Sequence, residues 1–327
     1  MYKHKNLVRF IMLIFTLLML LSGCELKKNN IEGQIIESQP TNESLQKYNE
    51  DVVSITCASS EGLASYSLTK LLYEQPMLLE DVVIDYTLYN DLPKLKEALS
   101  SSEPSIAVLP FTLAIEVLSK SEDYRLLGVV KGNNHVILGI KSLTDVKGNA
   151  IKVYDPSGFK GLYSSSIKRL THDLALKGMV LDRDYTLSYV DKMEDMVQTQ
   201  TNQLLMIEEV YLGYEEFDAF SSYVTLDEVE DYQLAVIILN ATDEVYPELA
   251  SSFENTFYKS CLWLSAYPER AVAYANQLNT TQTNMPVRSM YYFAAYRSTG
   301  QIIQMLDWLG YRQEIKDSVE KWVYETQ

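Results

Sequence analysis

SIAVLPFTLAIEVL, residues 105–118, decides the fold. Its first six residues are almost wholly apolar, as in a strand buried on both faces of a parallel sheet. Pro110 ends the run, and Ile115 and Leu118 then share one face of a helix. A strand that hands over to a helix in this way is half of a right-handed βαβ unit.

The neighbours repeat the pattern. Upstream, VVSITC (52–57) reads as a buried strand, and Leu63, Tyr66 and Leu71 predict a helix after it. VVIDYTLY (82–89) is the next strand, followed by Leu92, Leu95 and Leu99 on one helical face. Downstream the alternation pauses at RLLGVVKGNNHVILGIKSL (125–143), where two β-rich segments flank Gly132-Asn133-Asn134. It then resumes. IKVYD (151–155) leads to a helix with Ile167, Leu170 and Leu174 on one face, capped at Gly178. Tyr185, Leu187 and Tyr189 alternate as a strand; LLMIEEVY (204–211) and YQLAVIILN (232–240) are further β runs, and the remainder is mainly helical. Two βα modules joined by β-rich crossings predict an α/β protein of two lobes, each a mainly parallel sheet flanked by helices, with a cleft between them. The expected lobes are 51–135 with 241–327, and 136–240.

The amino terminus has a different character. Lys3, Lys5 and Arg9 precede an apolar run, Phe10 to Leu21, that is too short to span a bilayer as a mature helix. Leu21-Ser22-Gly23-Cys24 resembles a bacterial lipobox. That resemblance implies a signal peptide over 1–23, removed to leave Cys24 as a lipid-bearing first residue. Acyl chains contribute roughly 0.8 kcal/mol per buried CH2, so several on one cysteine would hold firmly. Residues 24–50 are polar, lack a sustained apolar period and read as a tether. The expected location is the cell envelope, lipid-anchored on the outer face of the cytoplasmic membrane or in a periplasm.

Loss of 1–23 removes three cations and no anion, so a chain of net charge −16 becomes more negative still. This argues against nucleic acid and against an anionic membrane surface as partners. Of the remaining cysteines, an exported protein can bridge Cys57 and Cys261. However, Leu249, Phe253, Phe257 and Cys261 repeat as a helical core stripe that buries the thiol, which argues against a disulfide. His135 and His172 are the only histidines after the signal, the first in a crossing strand and the second on a helix surface. With no HExxH, CxxC, P-loop or GxSxG pattern, catalysis has little support, and neither a metal nor a cofactor is expected.

In open α/β sheets, ligands sit at the carboxyl ends of strands. That rule singles out Cys57 to Gly62, Leu109 to Thr112, Asp155 to Gly161 and Glu208 to Tyr211. These loops and their surroundings carry a resemblance. AVLPFTLAIEVL, LGIKSLTDVKGNAIKVYDPSG, the Lys177-Gly178 and LDRDY (181–185) spacing, LLMIEEVY, PELASSFENTFYKSCLWLSAYPERAVAYANQL and PVRSMYYF (286–293) follow one another. In order and spacing they resemble solute-binding proteins of ABC transporters of the nitrate/sulfonate/taurine (NitT/TauT) type, over about residues 52–310. The resemblance implies a type II periplasmic-binding-protein fold, capture of a small organic or anionic solute, delivery to an ABC permease, and action as a monomer. Glu208-Glu209-Val210 departs from it in lacking a proline after the glutamate, which points to a different ligand. The same fold supports ligand sensing or scavenging without transport, and enzymes resembling pyrimidine-synthesis proteins.

The candidate ligand contacts are Ser59, Ser60, Leu109, Pro110, Phe111, Thr112, Ser157, Gly158, Phe159, Gly161, Glu208, Tyr211 and Arg288. Gly158 and Gly161 flank a helix start, where N–H groups can bind a carboxylate, sulfonate or carbonyl, or simply form a tight turn. Ser59 and Ser60 can cap the helix beginning near Gly62 or donate to a ligand. Phe111 and Tyr211 can wall a pocket or pack in the core, and Lys160 can pair with an anion or stay solvated. Glu208 and Glu209, adjacent on a strand, point to opposite faces, so at most one readily faces the cleft. A cleft carboxylate favours an amine or cationic ring, whereas Arg288 favours an anion; the sequence leaves both open.

Overall fold

The computed structural model describes residues 53–89, 91–131, 135–155, 160–161, 164–197, 203–213, 215–226, 232–240, 245–278, 292–295 and 299–324. The signal, the tether and Cys24 lie outside them. The first module runs β1 (Val53–Ser60), α1 (Leu63–Ser67), α2 (Thr69–Glu74), β2 (Val82–Tyr89), α3 (Leu92–Ser100), β3 (Ile106–Pro110), α4 (Phe111–Lys120) and β4 (Tyr124–Lys131). The second runs β5 (His135–Leu138), β6 (Ala150–Tyr154), α5 (Ser165–Leu176), β7 (Thr186–Val190), α6 (Met193–Val197), β8 (Leu204–Glu208) and β9 (Tyr223–Thr225). The chain continues through β10 (Tyr232–Leu239), α7 (Val245–Ala266), α8 (Pro268–Leu278), β11 (Tyr292–Ala295), α9 (Thr299–Leu309), α10 (Gln313–Asp317) and α11 (Val319–Trp322).

Two mixed sheets result, one of six strands in the order β11-β4-β10-β3-β1-β2 and one of five in the order β7-β6-β8-β5-β9. Each has a parallel heart, β2-β1-β3 and β7-β6-β8, followed by an antiparallel neighbour. In each sheet that neighbour, β10 or β5, is the first strand after a crossing. Strand β10 is such a neighbour in the six-stranded sheet. The 136–240 lobe was expected to hold YQLAVIILN, but this run pairs with β3 and β4 in the six-stranded sheet. Period-2 and all-apolar patterns mark a strand as buried; they do not name the sheet that buries it.

The six-stranded sheet is covered on both faces. Ile55, Cys57, Val108 and Val236 pack with the Leu249, Phe253, Phe257 and Cys261 stripe of α7. Ala58, Leu109, Ala235 and Ile237 face Leu95 and Leu99 of α3 and Leu306 of α9. Cys57 and Cys261 are both free, buried thiols, and burial raises both above the usual thiol range. The five-stranded sheet packs Ile151, Val153 and Met206 against Ile167, Leu170 and Leu174 of α5.

Local chemistry sets the helix limits. Asp91 caps α3 by accepting the Lys94 N–H. Helix α5 ends as expected at Gly178 (φ 77), where the Gly178 and Met179 N–H groups return to the Ala175 and Leu174 carbonyls. The single helix expected through Leu63, Tyr66 and Leu71 is instead broken at Leu68. There the Ser65 and Ser67 hydroxyls bond back to the Gly62 and Ala64 carbonyls, competing with the helical ladder. Among the described residues no helix is long and apolar enough to cross a membrane.

Candidate functional site

The carboxyl end of β1 carries Ser59 and Ser60, both buried. They are strand residues and do not cap α1; the cap position is Gly62, and no side chain bonds there. Gly62 has φ 92, open to glycine and strained for any other residue. A Cβ there would lie 2.5 Å from the Tyr211 hydroxyl and 3.0 Å from Glu208 Oε2. The next residue, Leu63, donates its N–H to that same Glu208 oxygen at 3.0 Å. The turn after β1 in the first lobe thus meets the end of β8 in the second.

Strand β8 stops at Glu208, and Glu209 to Gly213 form a 3-10 turn, so the expected LLMIEEVY strand ends early. This turn buries Glu209, Val210 and Tyr211. The Tyr211 ring meets Tyr154, at the end of β6, edge-on at 5.4 Å. On the neighbouring strand, His135 lies directly opposite Glu208. Its Nδ1 is 2.8 Å from the Ser166 hydroxyl at the start of α5. Burial pushes the Glu208 carboxyl up to about 7 against a lowering by the Leu63 N–H, and pushes His135 down to about 4. Both groups therefore resist charging at the same end of one sheet.

After β6, Asp155 accepts the Gly161 N–H at 2.6 Å. Gly161 has φ 73, and a Cβ there would lie 2.6 Å from the Tyr189 ring and hydroxyl. The free N–H expected at Gly161 is thus engaged by the chain's own carboxylate, and α5 is capped three residues later by Ser164, which accepts the Ile167 N–H. Tyr189 is raised above the usual phenol range by burial and by the Asp155 charge. Lys160 is exposed.

Of the other candidates, Leu109 and Phe111 are buried in the core layer with Leu95 and Ala114, while Pro110 and Thr112 are half-buried at the end of β3. Ser157, Gly158, Phe159 and Arg288 lie outside the described residues. Sequence reasoning missed the part played by His135, Tyr154, Asp155 and Tyr189. Asp155 stands in a loop the strand-end rule had marked, whereas nothing in the sequence paired His135 with Glu208. Away from the turns, the lobes also meet where α5 crosses α9. Lys168 Nζ lies 5.1 Å over the Trp308 ring, and His172 meets that ring edge-on. Among the described residues no group of three or more His, Cys, Asp and Glu side chains could hold a metal ion.

Two α/β lobes with strand-end turns facing each other define the architecture of periplasmic binding proteins. No family model matches the chain, and no curated protein matches it. Solved structures do. An ABC transporter protein from Parabacteroides distasonis is 17% identical, with 85% of this chain and 100% of that one covered, at a TM-score of 0.66. The ligand-binding component of an ABC-type import system from Staphylococcus aureus, solved with zinc bound, is 11% identical over 84% of this chain and 97% of that one, at a TM-score of 0.61. The periplasmic aliphatic sulphonate-binding protein SsuA of Escherichia coli is 15% identical over 83% and 92%, at a TM-score of 0.59. At these identities the likeness is one of fold.

Proposed function

We propose that the chain is a membrane-tethered solute receptor that delivers a small solute to an ABC importer. The observation that carries this is the meeting of Gly62 and Leu63 of one lobe with Glu208 and Tyr211 of the other. A solute held at that junction touches both lobes, so binding favours their closure. Ser59, Ser60, Pro110, Thr112, Gly161, Glu208 and Tyr211 are the proposed contacts. The proposed lobes are 53–131 with 232–324, and 135–226, a division that the strand pairing of the two sheets supports. Cys24 carries the lipid, residues 24–50 link it to the receptor, and the protein works as a monomer beside its permease on the outer face of the membrane.

The test is a thermal-shift screen of the lipidated protein in detergent, paired with small-angle X-ray scattering. A solute at about 100 times its dissociation constant adds roughly 2.7 kcal/mol of stability. It should also shrink the radius of gyration and be recovered chemically unchanged, which separates a receptor from an enzyme. A folded, solute-free preparation that responds to no member of a broad library would overturn the reading. Loss of acyl labelling in Cys24→Ser tests the anchor.

A further inference from the structure

Both turns that an anionic solute would approach are already occupied by the chain's own carboxylates. Glu208 takes the Leu63 N–H, and Asp155 takes the Gly161 N–H. An anion would have to displace them from these N–H groups. Among the described residues no lysine or arginine forms an ion pair with Glu208. The neighbouring His135 adds no positive charge at neutral pH, because burial holds it unprotonated.

A second observation is independent of the acids. The hydroxyls of Ser59 and Ser60 have no hydrogen-bond partner, although the residues are only 0% and 5% exposed. Ser59 follows Ile55 and Cys57 on the sheet face that packs with Leu63, Val210 and Tyr211. A buried hydroxyl without a partner costs stability, and a bound donor relieves that cost. The Tyr154 and Tyr211 rings pack edge-on 5.4 Å apart beside the same turn, and aromatic rings favour a neighbouring cation. The acidic chain, of net charge −16, draws cations toward it.

We infer that the solute is an organic cation, an amine or amidinium, and that Glu208 selects it; this rests on the solute-receptor reading above. The ammonium or amidinium group binds the Glu208 carboxylate and donates to the Ser59 hydroxyl, with the tyrosines flanking it. The Glu208 carboxyl, raised by burial to about 7, is drawn toward its ionised form by the bound cation.

The experiment ranks a charge series on the wild-type protein by thermal shift and calorimetry. Putrescine, spermidine, agmatine and benzamidine are set against butanesulfonate, glutarate and neutral butanediol. The best probe is then measured on Glu208→Gln. The expected result is preference for a cation, with affinity at least about tenfold weaker in the variant, the loss typical of a charge-assisted hydrogen bond. Preference for an anion or a neutral probe, or a cation bound equally well by the variant, would overturn the inference and leave the receptor reading standing. Silence across the series from folded protein overturns the inference; if a broader library is silent too, the receptor reading falls with it. Should Glu208→Gln not fold, the wild-type ranking decides alone.

Discussion

The turn after β1 and the turn after β6 are built alike and do different work. In each, a glycine with positive φ, Gly62 or Gly161, lets a tyrosine of the second lobe press against the backbone. In each, a carboxylate of the second lobe holds a backbone N–H. At Gly161 every partner lies in the same lobe, so the turn stays whole however the lobes move. At Gly62 the partners Glu208 and Tyr211 belong to the other lobe, so the contact exists only while the lobes are together. The lesson is that one turn is held within a single lobe and the other is held between two.

Substituting the glycines should separate the two. Gly62→Ala places a Cβ against Tyr211 and Glu208 in a backbone region that only glycine occupies freely, and should cost about 2–3 kcal/mol. Urea unfolding measures that cost, and X-ray scattering should show the lobes apart. A variant as compact and stable as the wild type would break the comparison.

The next largest effect concerns pH. Glu208 rises from 4.5 to about 7 in the fold, so its contribution to stability is full below pH 4.5 and lost as pH climbs through 7. His135 falls from 6.5 to about 4, so its contribution is full above pH 6.5 and lost as pH drops through 4. Between pH 4.5 and 6.5 the two slopes oppose and cancel. Unfolding free energies from urea titrations across that window should therefore rise with pH in Glu208→Gln relative to wild type, and fall with pH in His135→Gln, each by up to about 1 kcal/mol per pH unit. Parallel profiles for all three proteins would refute this.

Gly161→Ala should cost about 1–2 kcal/mol, through φ strain and the Tyr189 contact, while leaving the scattering profile unchanged. An opened profile here would break the contrast between the two turns. Smallest is Lys168→Ala at the α5–α9 contact, where loss of the cation over Trp308 should cost about 0.5–1 kcal/mol. The change should appear as faster opening in tryptophan fluorescence, with solute contacts untouched.

Local runs such as SIAVLP and the Leu249 to Cys261 stripe were readable because burial period and helix period are written into neighbouring residues. The strand-end rule likewise marked the strand ends and turns that carry Ser59, Gly161, Glu208 and Tyr211. What it did not find were relations across the chain. YQLAVIILN reads equally well in either lobe, and only pairing with β3 and β4 places it in the first. Phe111 has the composition of a pocket wall, yet it turns into the core beside α4's other apolar residues.

The sequence by itself determined the alternation of strands and helices, the two-module order and the loops at the strand ends. These follow from propensity and periodicity, which act over a few residues. Only the tertiary structure decided that Glu208 reaches the Leu63 N–H, that His135 lies opposite Glu208, and that the turn N–H groups are taken by carboxylates. Those facts join residues as far as 145 positions apart, and they depend on burial, which sets both the hydrogen bonds and the charge each group can bear.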